Sequence, residues 1–398
     1  MKIHIHRGQD QIGGSIIEIS TDNTRLIFDV GAELDESEEI EIPPIDGLFV
    51  GIKKYDAVFV SHYHPDHIGL LGELVDGIPV YMGEKAFGIL HSAYSYRKLD
   101  VPFSPQSIHD GQTVQIGDIT ITPLLCDHSA FDSYMFLVEA EGKRVLYTGD
   151  FRANGRLDFD KLLDRLPKVD AVIIEGTTLS RDDNICNIEE ETLEEIAVNY
   201  LEKHSGPAFI MMSAMNIDRL KTIENVARRT DRLLLEDLYT ARVATASGCA
   251  VPDRKNVIRV FMTKGDSEYA ELFSYGSAKI GKSGIARVPF IMCVRSSMRR
   301  YLENLCKLIS FEGGVLFYGM WKGYMEQSKT KEFIEFMQSK GVKIHILHTS
   351  GHADSMTIDK LIQRVEPKII APVHTENSEW FEKYKIAASI ANESEVEL

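Results

Sequence analysis

The sequence predicts an α/β protein in which one α/β unit is inserted into another. Three observations lead there. In the first half, short apolar runs each stop at polar residues able to bear chemistry. In the middle, strand-like runs alternate with amphipathic helical stretches, which implies a parallel sheet. Near the end, the strand-then-histidine pattern of the first half returns. The expected division is 1–184 for the first part of one domain, 185–343 for the insert, and 344–398 for the return segment. A chain of 398 residues is long enough for two such domains.

The elements follow in order. Ser15–Ser20 and Arg25–Val30 flank Asp22-Asn23 and read as a hairpin. Ala57–Ser61 ends at a histidine cluster, Ile119–Leu125 at Cys126-Asp127-His128, Arg144–Thr148 at Gly149-Asp150, and Ala171–Ile174 at Glu175. Ile188–Lys203 reads as an acidic amphipathic helix. Three strand–loop–helix units come next, with strands at Ala208–Met212, Pro289–Val294 and Val315–Tyr318. Ile344–Leu347 leads to His348-Thr349-Ser350-Gly351-His352 and a helix, and Ile369–Pro372 ends at His374. Side chains at the C-terminal ends of such strands reach into a cleft rather than a core.

Composition narrows the functional classes. The net charge is −16, which disfavours indiscriminate binding of nucleic acid. The charge is uneven, however. From 250 to 343 there are 16 Lys/Arg against 9 Asp/Glu, a net of +7, so the rest carries −23. A basic segment on an acidic body can guide a polyanion to one surface, or simply keep that segment soluble. The five cysteines are odd in number and form no C-x-x-C pair, and the N-terminus shows no signal-peptide pattern. No apolar run reaches the ~18 residues of a membrane span. The expected compartment is the cytoplasm, with no membrane partner.

The motif with most chemical content is Ser-His62-Tyr-His64-Pro-Asp66-His67, directly after a strand. Imidazole nitrogens and a carboxylate are ligands for borderline divalent metals. Four such groups within six residues are costly to bury without a cation. Other features read as structural: His4 and His6 on one face of the first strand, Gly13-Gly14 as a tight turn, Cys126 as a small buried residue, and Glu33–Glu41 as a solvated loop.

This H-x-H-x-D-H motif resembles that of the metallo-β-lactamase superfamily. The resemblance implies an αββα sandwich and two divalent metal ions, zinc or manganese. By the same resemblance, Asp29 supports the histidine loop from outside the ligand set, His128 is a lone third-motif histidine, and Asp150 bridges both metals. Three further stretches are similar to the β-CASP branch, which includes ribonuclease J and the cleavage factors of messenger-RNA 3′-end formation. Ile173-Ile174-Glu175-Gly176-Thr177 resembles motif A, Thr349-Ser350-Gly351-His352-Ala353 motif B, and Pro372-Val373-His374-Thr375-Glu376 motif C. That branch inserts an α/β domain between motifs A and B.

The resemblance implies hydrolysis of a phosphodiester, with single-stranded RNA as the expected substrate. His62, His64 and His128 would hold one metal, and Asp66, His67 and His374 the other. Asp66, His352 and Glu175 are the expected catalytic residues. His352 would protonate the leaving group, and its turn, placed before a helix, would offer a phosphate site. Ser350, Asn216, Arg295 and Lys322 are the expected substrate contacts. RNA is expected as partner ahead of DNA, and a dimer is compatible with the sequence. The chain runs only about two dozen residues past His374, so the ribonuclease J C-terminal domain is expected to be absent. Two other classes fit the residues as well: a small-molecule hydrolase of the same fold, acting on a lactone, thioester or small phosphoester, and a non-catalytic subunit of an RNA-processing assembly.

Overall fold

A computed structural model describes the chain except residues 35–39, 181–185, 264–267, 386–388 and 391–393. The acidic run Glu33–Glu41 therefore lies partly outside the described residues. The chain divides into two compact units. The first comprises Met1–His91, Leu99–Asn187 and Gly351–Leu398, and the second Ser92–Lys98 and Ile188–Ser350.

Two seven-stranded sheets build the first unit. One contains β1 (Lys2–Arg7), β2 (Ile16–Ser20), β3 (Arg25–Phe28), β4 (Ala57–Phe59), β5 (Val80–Gly83) and β6 (Gln106–Ile108), with β20 (Glu395–Glu397) at its edge. The other is ordered β19 (Ser389–Ile390), β18 (Ile369–Val373), β11 (Ala171–Glu175), β10 (Lys143–Tyr147), β9 (Ser133–Ala140), β8 (Ile119–Cys126) and β7 (Val114–Ile116). The expected hairpin is present: β2 and β3 pair antiparallel, Ser20 opposite Arg25.

Apolar side chains from both sheets form one core, which includes Ile17, Phe28, Phe59, Phe136 and Ile173. Phe28, Phe59, Phe136 and Tyr147 interlock within it at centroid distances of 5.4–5.8 Å, a separation that favours aromatic pairs. A second core on the outer face of the β18–β11–β10 sheet takes in Phe159 and Leu162 of helix Phe159–Arg165, and Ile358, Leu361 and Ile362 of helix Ser355–Val365. The strands β10, β11 and β18 are parallel, so their C-terminal ends, each followed by a candidate site residue, share one edge.

The second unit is a six-stranded, wholly parallel sheet. Its strands are β12 (Ala208–Met211), β13 (Leu233–Asp237), β14 (Ile258–Phe261), β15 (Phe290–Val294), β16 (Val315–Tyr318) and β17 (Lys343–Ile346), in the order β14-β13-β15-β12-β16-β17. The sheet corrects the sequence reading twice. It has β13 and β14 where only three strand–helix units were expected. It also takes in β17, which was assigned to the return segment from 344; its backbone pairs Lys343 with Val315 and Ile346 with Tyr318. Inside the unit, Arg219 and Glu190 form a fully buried ion pair, and the same guanidinium donates to the carbonyls of Gly319 and Leu347.

Candidate metal centre

The residues of the H-x-H-x-D-H stretch turn out of β4 into a short helix, Pro65–Ile68, with Asp66 and His67 buried. Close backbone packing fixes this turn. Ser15 N–H donates to the Asp66 carbonyl and Val30 N–H to the His67 carbonyl. A Cβ on Gly31 would lie 1.7 Å from the Asp66 carbonyl oxygen, so no larger residue fits there.

Asp29 follows β3 and organises the loop beneath. It accepts hydrogen bonds from Ser61 N–H (2.7 Å), the Ser61 hydroxyl (2.6 Å), the Tyr147 hydroxyl (2.7 Å) and His67 Nδ1 (2.8 Å). Because Ser61 donates its proton to Asp29, it accepts from His62 Nδ1, 3.0 Å away. His128 donates its Nδ1 proton to the carbonyl of Gly351. These bonds place the protons of His62 and His128 on Nδ1 and leave lone pairs on both Nε2 atoms.

Those lone pairs converge. His62 Nε2 and His128 Nε2 lie 3.2 and 3.1 Å from the same atom, His64 Nδ1. One proton on His64 can satisfy only one of them. Nor does the cluster readily take up protons. Burial, then the neighbouring imidazoles His67 and His128, holds His62 well below the ordinary histidine range, and burial lowers His128 in the same way. Burial brings His64 down to about 4. Three buried or half-buried nitrogens facing one another with at most one proton between them are a ligand set for a cation.

A second group adjoins it. Asp66 Oδ2 and His374 Nε2 are 3.0 Å apart, and the His67 and His374 rings are stacked with centroids 5.1 Å apart. Thr177 sets the orientation of His374. Its hydroxyl accepts from His374 Nδ1 at 2.8 Å and donates to Glu175 Oε2 at 2.7 Å. Asp150 stands by both groups: its Oδ2 is 3.3 Å from His67 Nε2 and 3.7 Å from His62 Nε2, and its Oδ1 is 3.9 Å from His374 Nδ1. Burial opposes the charge of Asp150, yet His374 and His67 hold it well below the usual carboxylate range. His67 is the converse: burial opposes its charge, but Asp150 and Asp29 raise its proton affinity well above the ordinary value.

Bound metal fits these residues. His67 Nε2 and Asp150 Oδ1 are buried with no hydrogen-bond partner among the described residues, and such orphaned atoms are rare in a folded protein. His62, His64 and His128 form one set of candidate ligand atoms, and Asp66, His67 and His374 another; within each set the atoms lie within 4.8 Å of one another.

His352 is half-buried at the margin. Its Nδ1 lies 3.0 Å from Glu175 Oε2 and 3.5 Å from Asp150 Oδ2. Glu175 is buried and accepts from Phe151 N–H and Thr177 as well. The helix after motif B departs from expectation. Asp354 is its N-cap, with a carboxylate that accepts from Thr357 N–H and Asn187 N–H. That carboxylate already compensates the positive helix end, so the turn is not a phosphate site by virtue of the helix.

Ser350, Asn216, Arg295 and Lys322 all belong to the second unit. Asn216 uses its side-chain oxygen to cap helix Ile217–Arg229 through Arg219 N–H. Arg295 forks onto Asp237 and lies over the Tyr239 ring. Lys322 is exposed and Ser350 half-buried. For Asn216 and Arg295 the contacts are those of structural residues. Ser61, Tyr147 and Thr177 escaped sequence reasoning. Thr177 closes the Glu175-Gly176-Thr177 stretch of motif A, while nothing local distinguishes Tyr147 from any core tyrosine.

His4 and His6 are stacked on β1, and His6 Nε2 meets Glu18 Oε2 at 2.9 Å. Arg25 also forks onto Glu18, with both contacts at 3.0 Å. Glu18 thus already has its cation, which suits a structural cluster.

A family model described as a beta-lactamase superfamily domain matches residues 24–230, more than half of the chain. The chain belongs to the metallo-β-lactamase superfamily. A second model, a Zn-dependent metallo-hydrolase RNA specificity domain, matches residues 340–388, which hold His352 and His374. Ribonuclease J of Sinorhizobium meliloti is 20% identical over 85% of this chain and 61% of its own length. Transcription termination factor FttA of Methanococcus maripaludis is 24% identical over 90% of this chain and 64% of its own length. The chain thus spans somewhat under two thirds of these two relatives, and it falls in the β-CASP, ribonuclease J-like branch of the superfamily. A solved structure of a protein of unknown function from Enterococcus faecalis V583 matches with a TM-score of 0.83 at 18% identity, covering 100% of this chain and 99% of that one. It shares the sandwich fold. Among the described residues, no helix is long and apolar enough to cross a membrane.

Proposed function

We propose that this metallo-β-lactamase-fold chain is a ribonuclease that hydrolyses phosphodiester bonds of single-stranded RNA with two divalent metal ions, zinc in the first place and manganese in the second. The observation that carries the reading is the pair of ligand groups flanking Asp150, with lone pairs converging on His64 in one and orphaned buried atoms at His67 and Asp150. His62, His64 and His128 would hold one ion, Asp66, His67 and His374 the other, and Asp150 both. Paired ions in such a site neutralise phosphoryl charge and lower the pKa of water from about 15.7 towards about 7. The RNA substrate rests on the RNA specificity-domain match and the ribonuclease J relatives.

The protein's own groups supply positioning and a proton. Asp29 and Thr177 hold His67 and His374 in the tautomers that present Nε2 to the site. Glu175 fixes the ring of His352 through Nδ1, which leaves Nε2 to face the site. His352 can then release a proton to a leaving alkoxide as a general acid. The test incubates the purified chain with 5′-phosphorylated and 5′-hydroxyl single-stranded RNA, with Zn²⁺ or Mn²⁺. Metal-dependent shortening of RNA is expected, and its product lengths separate exo- from endonuclease action. A metal-loaded chain that cleaves neither RNA, yet hydrolyses a small phosphoester or lactone, overturns the RNA assignment.

A further inference from the structure

The +7 segment from 250 to 343 has no part in the metal centre, and the structure gathers some of it around one cavity in the second unit. The cavity measures about 390 Å³. Lys282 and Arg300 line it, with the hydroxyls of Thr263 and Ser297, the amide of Asn304 and the ring of Tyr301. Thr263 follows β14 and Ser297 follows β15, so the cavity opens at the C-terminal edge of a parallel sheet, where open α/β sheets bind ligands.

Charge distinguishes this cavity from a random surface hollow. No Asp or Glu lines it among the described residues. Elsewhere in the segment, Arg295 pairs with Asp237, Arg299 with Glu303 and Lys331 with Glu326. Lys282 and Arg300 make no ion pair with any described carboxylate. Lys282 instead rests 4.8 Å over the Tyr301 ring, half-buried, while Arg300 is exposed. Asp237, at the same sheet edge, is neutralised by Arg295.

We propose that this cavity is a phosphate-binding site, separate from the metal centre, that takes a phosphate monoester. An ammonium and a guanidinium unopposed by acid supply charge-assisted bonds to phosphate oxygens. The Ser297 hydroxyl can add a neutral donor, as can the second amide proton of Asn304, whose Nδ2 also donates to the Arg300 carbonyl. The volume falls in the range of small-ligand pockets, about 300–1,000 Å³, so there is room for a nucleoside as well as its phosphate.

The test is calorimetric titration of the full chain at low ionic strength, with EDTA present to remove metal. The probes are inorganic phosphate, adenosine 5′-monophosphate and adenosine. Saturable one-site binding of phosphate and of the monophosphate is expected, with none of adenosine. Tighter binding of the monophosphate identifies a nucleotide as the ligand, and equal binding identifies free phosphate. Arg300→Ala and Lys282→Met should each weaken binding at least about tenfold, with unchanged circular dichroism. His62→Ala, at the metal centre, should leave it unchanged. The proposal falls if neither phosphate probe binds, if adenosine binds as tightly as its monophosphate, or if the Arg300/Lys282 double variant binds as the wild type does.

Discussion

Thr177→Val tests how the protein holds His374. The hydroxyl makes two buried bonds to side chains, accepting from His374 Nδ1 at 2.8 Å and donating to Glu175 Oε2 at 2.7 Å, and also lies 3.3 Å from the His374 carbonyl. Valine has nearly the same shape, so the change removes these bonds without opening a cavity. Glu175 Oε2 keeps His352 Nδ1 at 3.0 Å, whereas His374 Nδ1–H loses its acceptor. An unsatisfied buried donor costs about 1–3 kcal/mol. If that cost falls on the geometry that presents Nε2 to metal, affinity drops by about 5- to 150-fold. Removing partners of metal-binding histidines typically costs 10–100-fold, the same range. The assay is chelator-competition titration of Zn²⁺ against wild type, Thr177→Val and Thr177→Ser. Serine retains the hydroxyl and should stay within a few-fold of wild type, while valine should weaken one ion by about 10–100-fold. Wild-type affinity in Thr177→Val, or an equal loss in Thr177→Ser, would refute the reasoning.

Three further outcomes follow from other parts of the chain. His352→Ala should keep the metal content and fold of the wild type but lose about 10²–10⁴-fold in RNA cleavage; loss of metal on elemental analysis would place His352 among the ligands instead. Glu18→Gln should destabilise the metal-free protein by about 1–2 kcal/mol at pH 7 in urea melts, a figure discounted because Arg25 is partly solvent-exposed. The bonds from His6 and Arg25 bring Glu18 down to about 2 from 4.5 despite burial. A depressed carboxyl stabilises the fold above its unfolded pKa, so the difference should shrink as pH falls from 4.5 towards 2; a difference constant over that window would contradict this. Glu236 is buried with neither carboxylate oxygen hydrogen-bonded among the described residues, and burial, then Asp237, raises its pKa well above the usual range. Its penalty is absent below the unfolded pKa and grows with rising pH, so Glu236→Met should gain about 1–3 kcal/mol at pH 8 and less at pH 5; equal gains at the two values would argue against a titrating carboxyl.

What was legible in the sequence was mostly local. Four potential ligands within six residues announce a metal loop by chemistry alone, and strand ends at Glu175 and His374 stand out because apolar runs stop there. Longer-range features were hidden. The run Leu233–Asp237, LLLED, has leucine and glutamate that favour helix, yet pairing on both edges makes it the strand β13. Ile344–Leu347 leads into motif B and so reads as the start of the return segment, although the backbone of β17 pairs with β16. The Asp354 cap is legible as an aspartate directly before a helix. The buried pair of Arg219 and Glu190 joins residues 29 apart and left no local trace. Asp29 entered by family resemblance, whereas its four donors depend on residues as distant as Tyr147.

Metal stoichiometry tests the central claim most directly. The chain, purified without chelator and dialysed against Zn²⁺, should hold close to two ions by elemental analysis. Asp150→Ala should lose more metal than any single histidine variant, because Asp150 stands by both ligand groups. A well-folded wild-type chain that holds no metal, or an Asp150→Ala variant that retains both ions, would contradict the account.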